Sequence, residues 1–161
     1  MPGGGIGAGM SDKPILYEGS LAVDDRGSIS FVNGFDFSCF RGVGVKLFYI
    51  VSNYKQWQIR AWHAHKHEAK AVTLIAGAAI VAAVKIDNWD NPNPSAEVHR
   101  FVLSASKPSV LFIPAGYANG FRGLTGDARL MFFSSATVEE SRNDDYRFGS
   151  HYWEPWNIIE R

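Results

Sequence analysis

No stretch of this chain sustains an apolar period of 3.6 residues, which excludes an architecture built on amphipathic helices. From Pro14 onward, short segments rich in Val, Ile, Phe and Tyr alternate with clusters of Gly, Pro, Asn and Asp. That is the pattern of a β-sandwich or barrel. Strands are expected over residues 15–23, 27–33, 42–52, 56–64, 71–76, 78–87, 96–103, 109–114 and 128–135. Turn chemistry separates them, as in Asp24-Asp25-Arg26-Gly27, Asn33-Gly34 and Ser106-Lys107-Pro108. Only residues 137–145 read as a helical turn. About nine to ten short strands point to an all-β jelly roll, a double-sheet arrangement that protects its edges.

The 161 residues fit one domain, expected over 14–161, ahead of which the glycine-rich residues 1–13 read as a flexible tail. Those glycines do not match GxGxxG spacing and lack a preceding strand, so they are not a dinucleotide loop. Neither do they form a signal peptide. Sixteen basic residues balance sixteen acidic ones. Without a basic surplus, neither nucleic acid nor an anionic membrane is an expected partner. The longest near-apolar run, residues 74–84, falls short of the roughly 20 residues of a membrane span. The single cysteine, Cys39, reads as a buried apolar filler and fits a reducing, cytoplasmic setting. The aromatic residues of the segment His151-Tyr152-Trp153-Glu154-Pro155-Trp156 follow the last expected strand, where they either cap the barrel, meet a second subunit or line a site mouth.

Chemistry concentrates in Arg60-Ala61-Trp62-His63-Ala64-His65-Lys66-His67-Glu68-Ala69-Lys70. Residues two apart on a strand share a face, so His63 and His65 point the same way. Arg60 has the opposite parity and joins them only across a bulge or twist. A His-x-His pair in a barrel serves a metal or acid–base chemistry. The metal reading expects a Glu four or five positions after the second His and a further His on a later strand. Glu68 is three positions on, and Asn119 stands where the later His belongs. Amides are poor ligands for zinc or iron, so no metal and no other cofactor is expected. Acid–base work suits a neutral imidazole. Solvent-facing histidines on an edge strand are the plainer alternative.

The Asp25-Arg26-Gly27 turn, Arg60-x-x-His63, Lys70 and Ile113-Pro114-x-Gly116-x-x-Asn119-Gly120-Phe121 resemble the dTDP-4-dehydrorhamnose 3,5-epimerase family. Phe48-Tyr49-Ile50 followed by His63-Ala64-His65-Lys66 is also similar to the related dTDP-4-keto-6-deoxyglucose 3,4-ketoisomerases. The likeness runs from about Leu21 to Trp156. It implies a cupin-type double-stranded β-helix, a homodimer, and an isomerase of a nucleotide-linked 4-keto-6-deoxyhexose in surface-polysaccharide sugar biosynthesis. By analogy the nucleotide is dTDP.

The same resemblance implies His63 as the base, oriented by Asp144 or Asp145, with His65 and Tyr49 as further catalytic groups. Arg60, Lys70, Asn119, Arg26 and Tyr117 are implied as substrate-binding residues. Lys70 is placed near a developing oxyanion or, with Arg60, near the diphosphate. Epimerases of the family carry a tyrosine acid where this chain has Ala136-Thr137-Val138, so an epimerase assignment lacks its proton donor unless Tyr49, Tyr117 or Tyr146 substitutes. A 3,5-epimerase is the expectation from the overall pattern, with a 3,4-ketoisomerase as its alternative. A silent sugar-binding cupin and a metal-dependent cupin enzyme are the readings outside that chemistry.

Overall fold

The computed structural model describes residues 12–161. It contains twelve β-strands, labelled in chain order. They are β1 (Ile15–Glu18), β2 (Ser20–Asp24), β3 (Gly27–Phe31), β4 (Leu47–Ser52), β5 (Ile59–Ala64), β6 (Lys70–Ala76), β7 (Ala78–Lys85), β8 (Val98–Ser104), β9 (Ser109–Ile113), β10 (Tyr117–Gly123), β11 (Arg129–Ser134) and β12 (Tyr146–Arg147). One short helix, α1 (Val138–Asn143), follows β11. Two five-stranded antiparallel sheets carry the fold, ordered β1-β9-β6-β11-β4 and β12-β5-β10-β7-β8, while β2 and β3 form a separate hairpin. This is the jelly-roll architecture expected from the strand pattern. Of the tail expected over residues 1–13, residues 1–11 lie outside the described residues. The Asp12 carbonyl accepts from the Tyr117 hydroxyl at 2.7 Å.

Alternation along each strand divides the apolar side chains among three clusters. Val72, Leu74, Val81, Leu103, Leu111, Ile113, Leu130 and Phe132 are among those packed between the sheets. Trp62, Ile80, Val84, Trp153 and Trp156 form a second cluster on the outer face of the β5–β10–β7 sheet. There the C-terminal aromatics act as a cover. The Trp62 indole donates to the Trp153 carbonyl at 3.3 Å, and the Trp153 indole donates to the Asn93 carbonyl at 3.0 Å. Phe40, Val110 and Phe112 anchor a third cluster outside the other sheet, with Cys39 packed against it.

The expected strand over 15–23 is interrupted. Gly19 separates β1 from β2, and a Cβ there would crowd the Val32 side chain and the Pro108 carbonyl. Beyond it, the β2–β3 hairpin exposes Val23 at 72% and Ile29 at 67%, a high apolar exposure for a paired strand. On β4 the alternation points Leu47, Tyr49 and Val51 inward and leaves Phe48 and Ile50 exposed.

Candidate active site

A cavity of about 330 Å³ opens at the side of the sandwich where β4 ends one sheet and β12 ends the other. Its walls include Tyr49 from β4, Arg60 and His63 from β5, Lys70 from β6, and Asn119 and Phe121 from β10. His65 and Glu68 enter from the connection between β5 and β6. The helix α1 adds Val138, Ser141 and Arg142, spaced to share one helical face. Its N-terminus is fixed by a capping box, in which the Thr137 hydroxyl accepts from Glu140 N–H and the Glu140 carboxylate accepts from Thr137 N–H.

The parity difficulty at Arg60 is resolved by a bulge. Asn119 pairs with His63, but Phe121 pairs with Arg60, so β5 spends three residues against two of β10. The extra residue returns Arg60 to the inner face beside His63. Trp62 and Ala64 occupy the opposite face, within the outer aromatic cluster. Close approach at the bulge requires Gly120, because a Cβ there would collide with the Ala61 side chain and lie 2.9 Å from the Arg60 carbonyl.

His63 is partly buried, and its backbone carbonyl accepts from the Asn119 amide at 3.3 Å. Among the described residues none hydrogen-bonds its imidazole. Burial pulls its pKa below the ordinary 6.5, and the neighbouring charges of Arg147 and Lys70 act in the same direction, while Asp145 opposes them. The ring is therefore neutral near pH 7, as a base must be.

His65 is engaged on both nitrogens. Its Nδ1 lies 2.6 Å from the Asp144 carbonyl, which can only accept, so Nδ1 carries the proton. Its Nε2 lies 3.2 Å from Lys70 Nζ and accepts from it. Burial and then Lys70 lower the His65 pKa, in keeping with a neutral ring. Glu68 sits beneath this pair, with Oε2 3.2 Å from His65 Nδ1 and Oε1 3.6 Å from Lys70 Nζ. The Ser134 hydroxyl donates to Glu68 Oε1 at 2.7 Å.

Tyr49 stacks on Phe132, with ring centres 5.1 Å apart, and Lys70 Nζ lies 5.8 Å from the centre of the Tyr49 ring. Burial raises the Tyr49 pKa, with the Lys70 charge opposing it. The phenol is thus held in its neutral form.

Six residues singled out from the sequence therefore meet in one cavity: His63, His65, Tyr49, Arg60, Lys70 and Asn119. Three do not. The carboxylate of Asp144 accepts from the backbone N–H groups of Lys66 and His67 at 2.9 and 2.8 Å, so it shapes the turn after β5 and does not orient His63. Asp145, unlike Asp144, lines the cavity. Tyr117 packs in the inter-sheet core. Arg26 pairs with Asp24 in the exposed hairpin. Sequence reasoning missed Glu68 as the partner of His65 and Lys70, together with Arg142 and Arg147 at the rim. The E-x-K spacing of Glu68 and Lys70 was the one available signal.

A family model described as dTDP-4-dehydrorhamnose 3,5-epimerase matches residues 12–151. The chain belongs to this family. Membership places it among the sugar-nucleotide isomerases. Among the solved structures similar to this family member is the dTDP-4-dehydrorhamnose 3,5-epimerase from Sulfolobus tokodaii, at 21% identity and a TM-score of 0.70, covering 91% of this chain and 85% of that one. A 3'-monoepimerase from Streptomyces bikiniensis shares 19% identity over 83% of this chain and 68% of its own, with a TM-score of 0.67. A sugar 3,4-ketoisomerase from Thermoanaerobacterium thermosaccharolyticum shares 17% identity over 87% of this chain and 91% of its own, with a TM-score of 0.63. Among curated proteins none matches. At these identities the structural likenesses establish the fold, and the cavity's own residues must carry the choice of reaction.

Proposed function

We propose that this family member is a 3,4-ketoisomerase of a nucleotide-linked 4-keto-6-deoxyhexose, with dTDP as the nucleotide. One observation carries the choice. Val138 lines the cavity in the segment where the resemblance places an epimerase's tyrosine acid, and Tyr49 is the tyrosine among the lining residues. Tyr117 and Tyr146 are committed elsewhere, the first to Asp12 and the second to a tilted ring contact with Trp89. Epimerisation needs an acid across the sugar ring from the base. Ketoisomerisation works from one face.

The residues present suffice for that chemistry. The 4-keto group acidifies the proton on carbon 3, and neutral His63 removes it. Charge then develops on oxygen 4, where the Lys70 ammonium stabilises it. Tyr49 gives its proton to oxygen 4 and takes the proton of the 3-hydroxyl. The protonated His63 returns a proton to carbon 4, leaving a ketone at carbon 3 and a hydroxyl at carbon 4. Atoms and charge balance without a cofactor. Arg60, Arg142 and Arg147 supply cationic groups suited to a diphosphate. The nucleotide reading is supported by two neighbours: the Streptomyces bikiniensis monoepimerase was solved with dTDP-quinovose, and a variant of the Thermoanaerobacterium ketoisomerase with TDP-4-keto-6-deoxyglucose.

The exposed apolar hairpin and the exposed outer residues of β4 support a homodimer that covers them. Within one chain Arg26 does not reach the cavity, so a substrate role for it stands or falls with that dimer. The test of function is product identity. Incubation with dTDP-4-keto-6-deoxyglucose is expected to yield the 3-keto isomer. A product epimerised at carbon 3 or carbon 5, with its ketone still at carbon 4, would assign the epimerase reaction instead.

A further inference from the structure

Glu68 has no role in the reaction as written above, yet it is the most secluded charged group of the cavity, its side chain 2% exposed. One oxygen is satisfied by Ser134. The other, Oε2, is buried without a hydrogen-bond partner, because the Nδ1 proton of His65 is directed to the Asp144 carbonyl. A buried carboxylate is costly unless it is offset by charge. The nearest positive charge is Lys70, itself 9% exposed at the side chain. Lys70 is thus held from two sides, by Glu68 Oε1 at 3.6 Å and by His65 Nε2 at 3.2 Å. On its remaining side stands Tyr49.

We propose that Glu68 is a positioning residue: with His65 it forms a bracket that fixes the Lys70 ammonium beside the Tyr49 hydroxyl, aimed at the keto oxygen of the substrate. The inference rests on the isomerase reading and deepens it. It reassigns His65 from proton transfer to orientation, leaving His63 as the base. The order of the parts is enforced by the fold. The Asp144 carbonyl sets the His65 tautomer, the tautomer presents a lone pair to Lys70, and Ser134 on β11, the register partner of Lys70 on β6, fixes the carboxylate. Besides Tyr49, Glu68 and His65, the charged or titratable groups lining the same cavity are Arg60, His63, Arg142, Asp145 and Arg147. Of these five groups only Asp145 is acidic, and it pairs with Arg147, so among the described residues Glu68 is the one carboxylate in an ion pair with Lys70.

The test combines Glu68→Gln, which keeps shape and removes charge, with Glu68→Asp, which keeps charge and shortens reach. For Glu68→Gln, kcat is expected to fall on the order of 10- to 100-fold, as a misaimed group costs, with KM nearly unchanged. Glu68→Asp recovers part of the loss. Nitrogen-15 NMR of the substrate-free protein supplies a readout that a merely structural role would not move. Wild-type His65 is expected as the Nδ1–H form with a hydrogen-bonded Nε2, and in Glu68→Gln that Nε2 signal moves toward a free acceptor. Unchanged kcat, or an unchanged His65 signal alongside reduced thermal stability, would overturn the inference. A wild-type protein inert on every 4-keto sugar would sink the isomerase reading and with it the catalytic half of this inference, whereas the NMR would still decide whether the bracket exists.

Discussion

Arg60 and His63 share the inner face of β5 although three positions separate them, because β5 bulges by one residue opposite Gly120. The bulge converts a sequence spacing that should place them on opposite faces into a shared wall of the cavity. Gly120→Ala introduces a Cβ where Ala61 already packs. We expect a stability loss of about 1–3 kcal/mol from overpacking, read from denaturant unfolding. Loss of turnover should exceed the loss of stability, since Arg60 and His63 are displaced together. Wild-type stability in the variant would contradict the close packing at this strand pair.

His63→Ala should reduce turnover on the order of 10²- to 10⁴-fold, the usual reach of a general base. Nucleotide affinity, followed by thermal shift with dTDP, should change little, because the cationic groups at the rim remain. Normal turnover in this variant would remove His63 from the mechanism.

Tyr49→Phe separates the two halves of the reaction. The carbon-3 proton should still exchange with solvent through His63, but formation of the 3-keto product should fall on the order of 10²-fold. Loss of both activities together would instead point to Tyr49 as a group that binds the sugar.

Much of this site could be read from the order of residues, and the reasons for the gaps are physical. His63, His65 and Lys70 stand out because their side chains carry their chemistry locally. β10 did not stand out. Its sequence, Tyr117-Ala118-Asn119-Gly120-Phe121-Arg122-Gly123, falls outside the expected strands, yet it forms the middle of the site sheet. Gly120 is present there because β5 approaches closely, which only tertiary structure reveals. Glu68 was similarly hidden, since Ser134 lies 66 positions away in sequence. Asp144 was misassigned for the same reason, its carboxylate being occupied by the turn at residues 66 and 67.

Both site histidines titrate below the ordinary 6.5 in the folded state. The unfolded chain therefore binds more protons as pH falls below 6.5, so folding stability declines through that window and is fully present above it. The acid limb of kcat/KM should likewise lie below 6.5, where His63 becomes charged. A melting temperature that rises between pH 7 and pH 5 would contradict the buried neutral state of these rings.

Val23→Asp with Ile29→Asp places one charge on each face of the β2–β3 hairpin, at its two most exposed apolar side chains. Sedimentation should shift from dimer to monomer. A wild-type protein that already sediments as a monomer would remove the dimer and, with it, any substrate role for Arg26.

The central claim is that His63 removes the proton from carbon 3 of a 4-keto sugar. Proton NMR of the protein with dTDP-4-keto-6-deoxyglucose in deuterated water tests it directly. The account predicts loss of the carbon-3 proton signal with retention of the carbon-5 signal, accompanied by a new spin system, and no such change with His63→Ala. A carbon-3 signal that persists while product accumulates, or exchange that survives in His63→Ala, would contradict it.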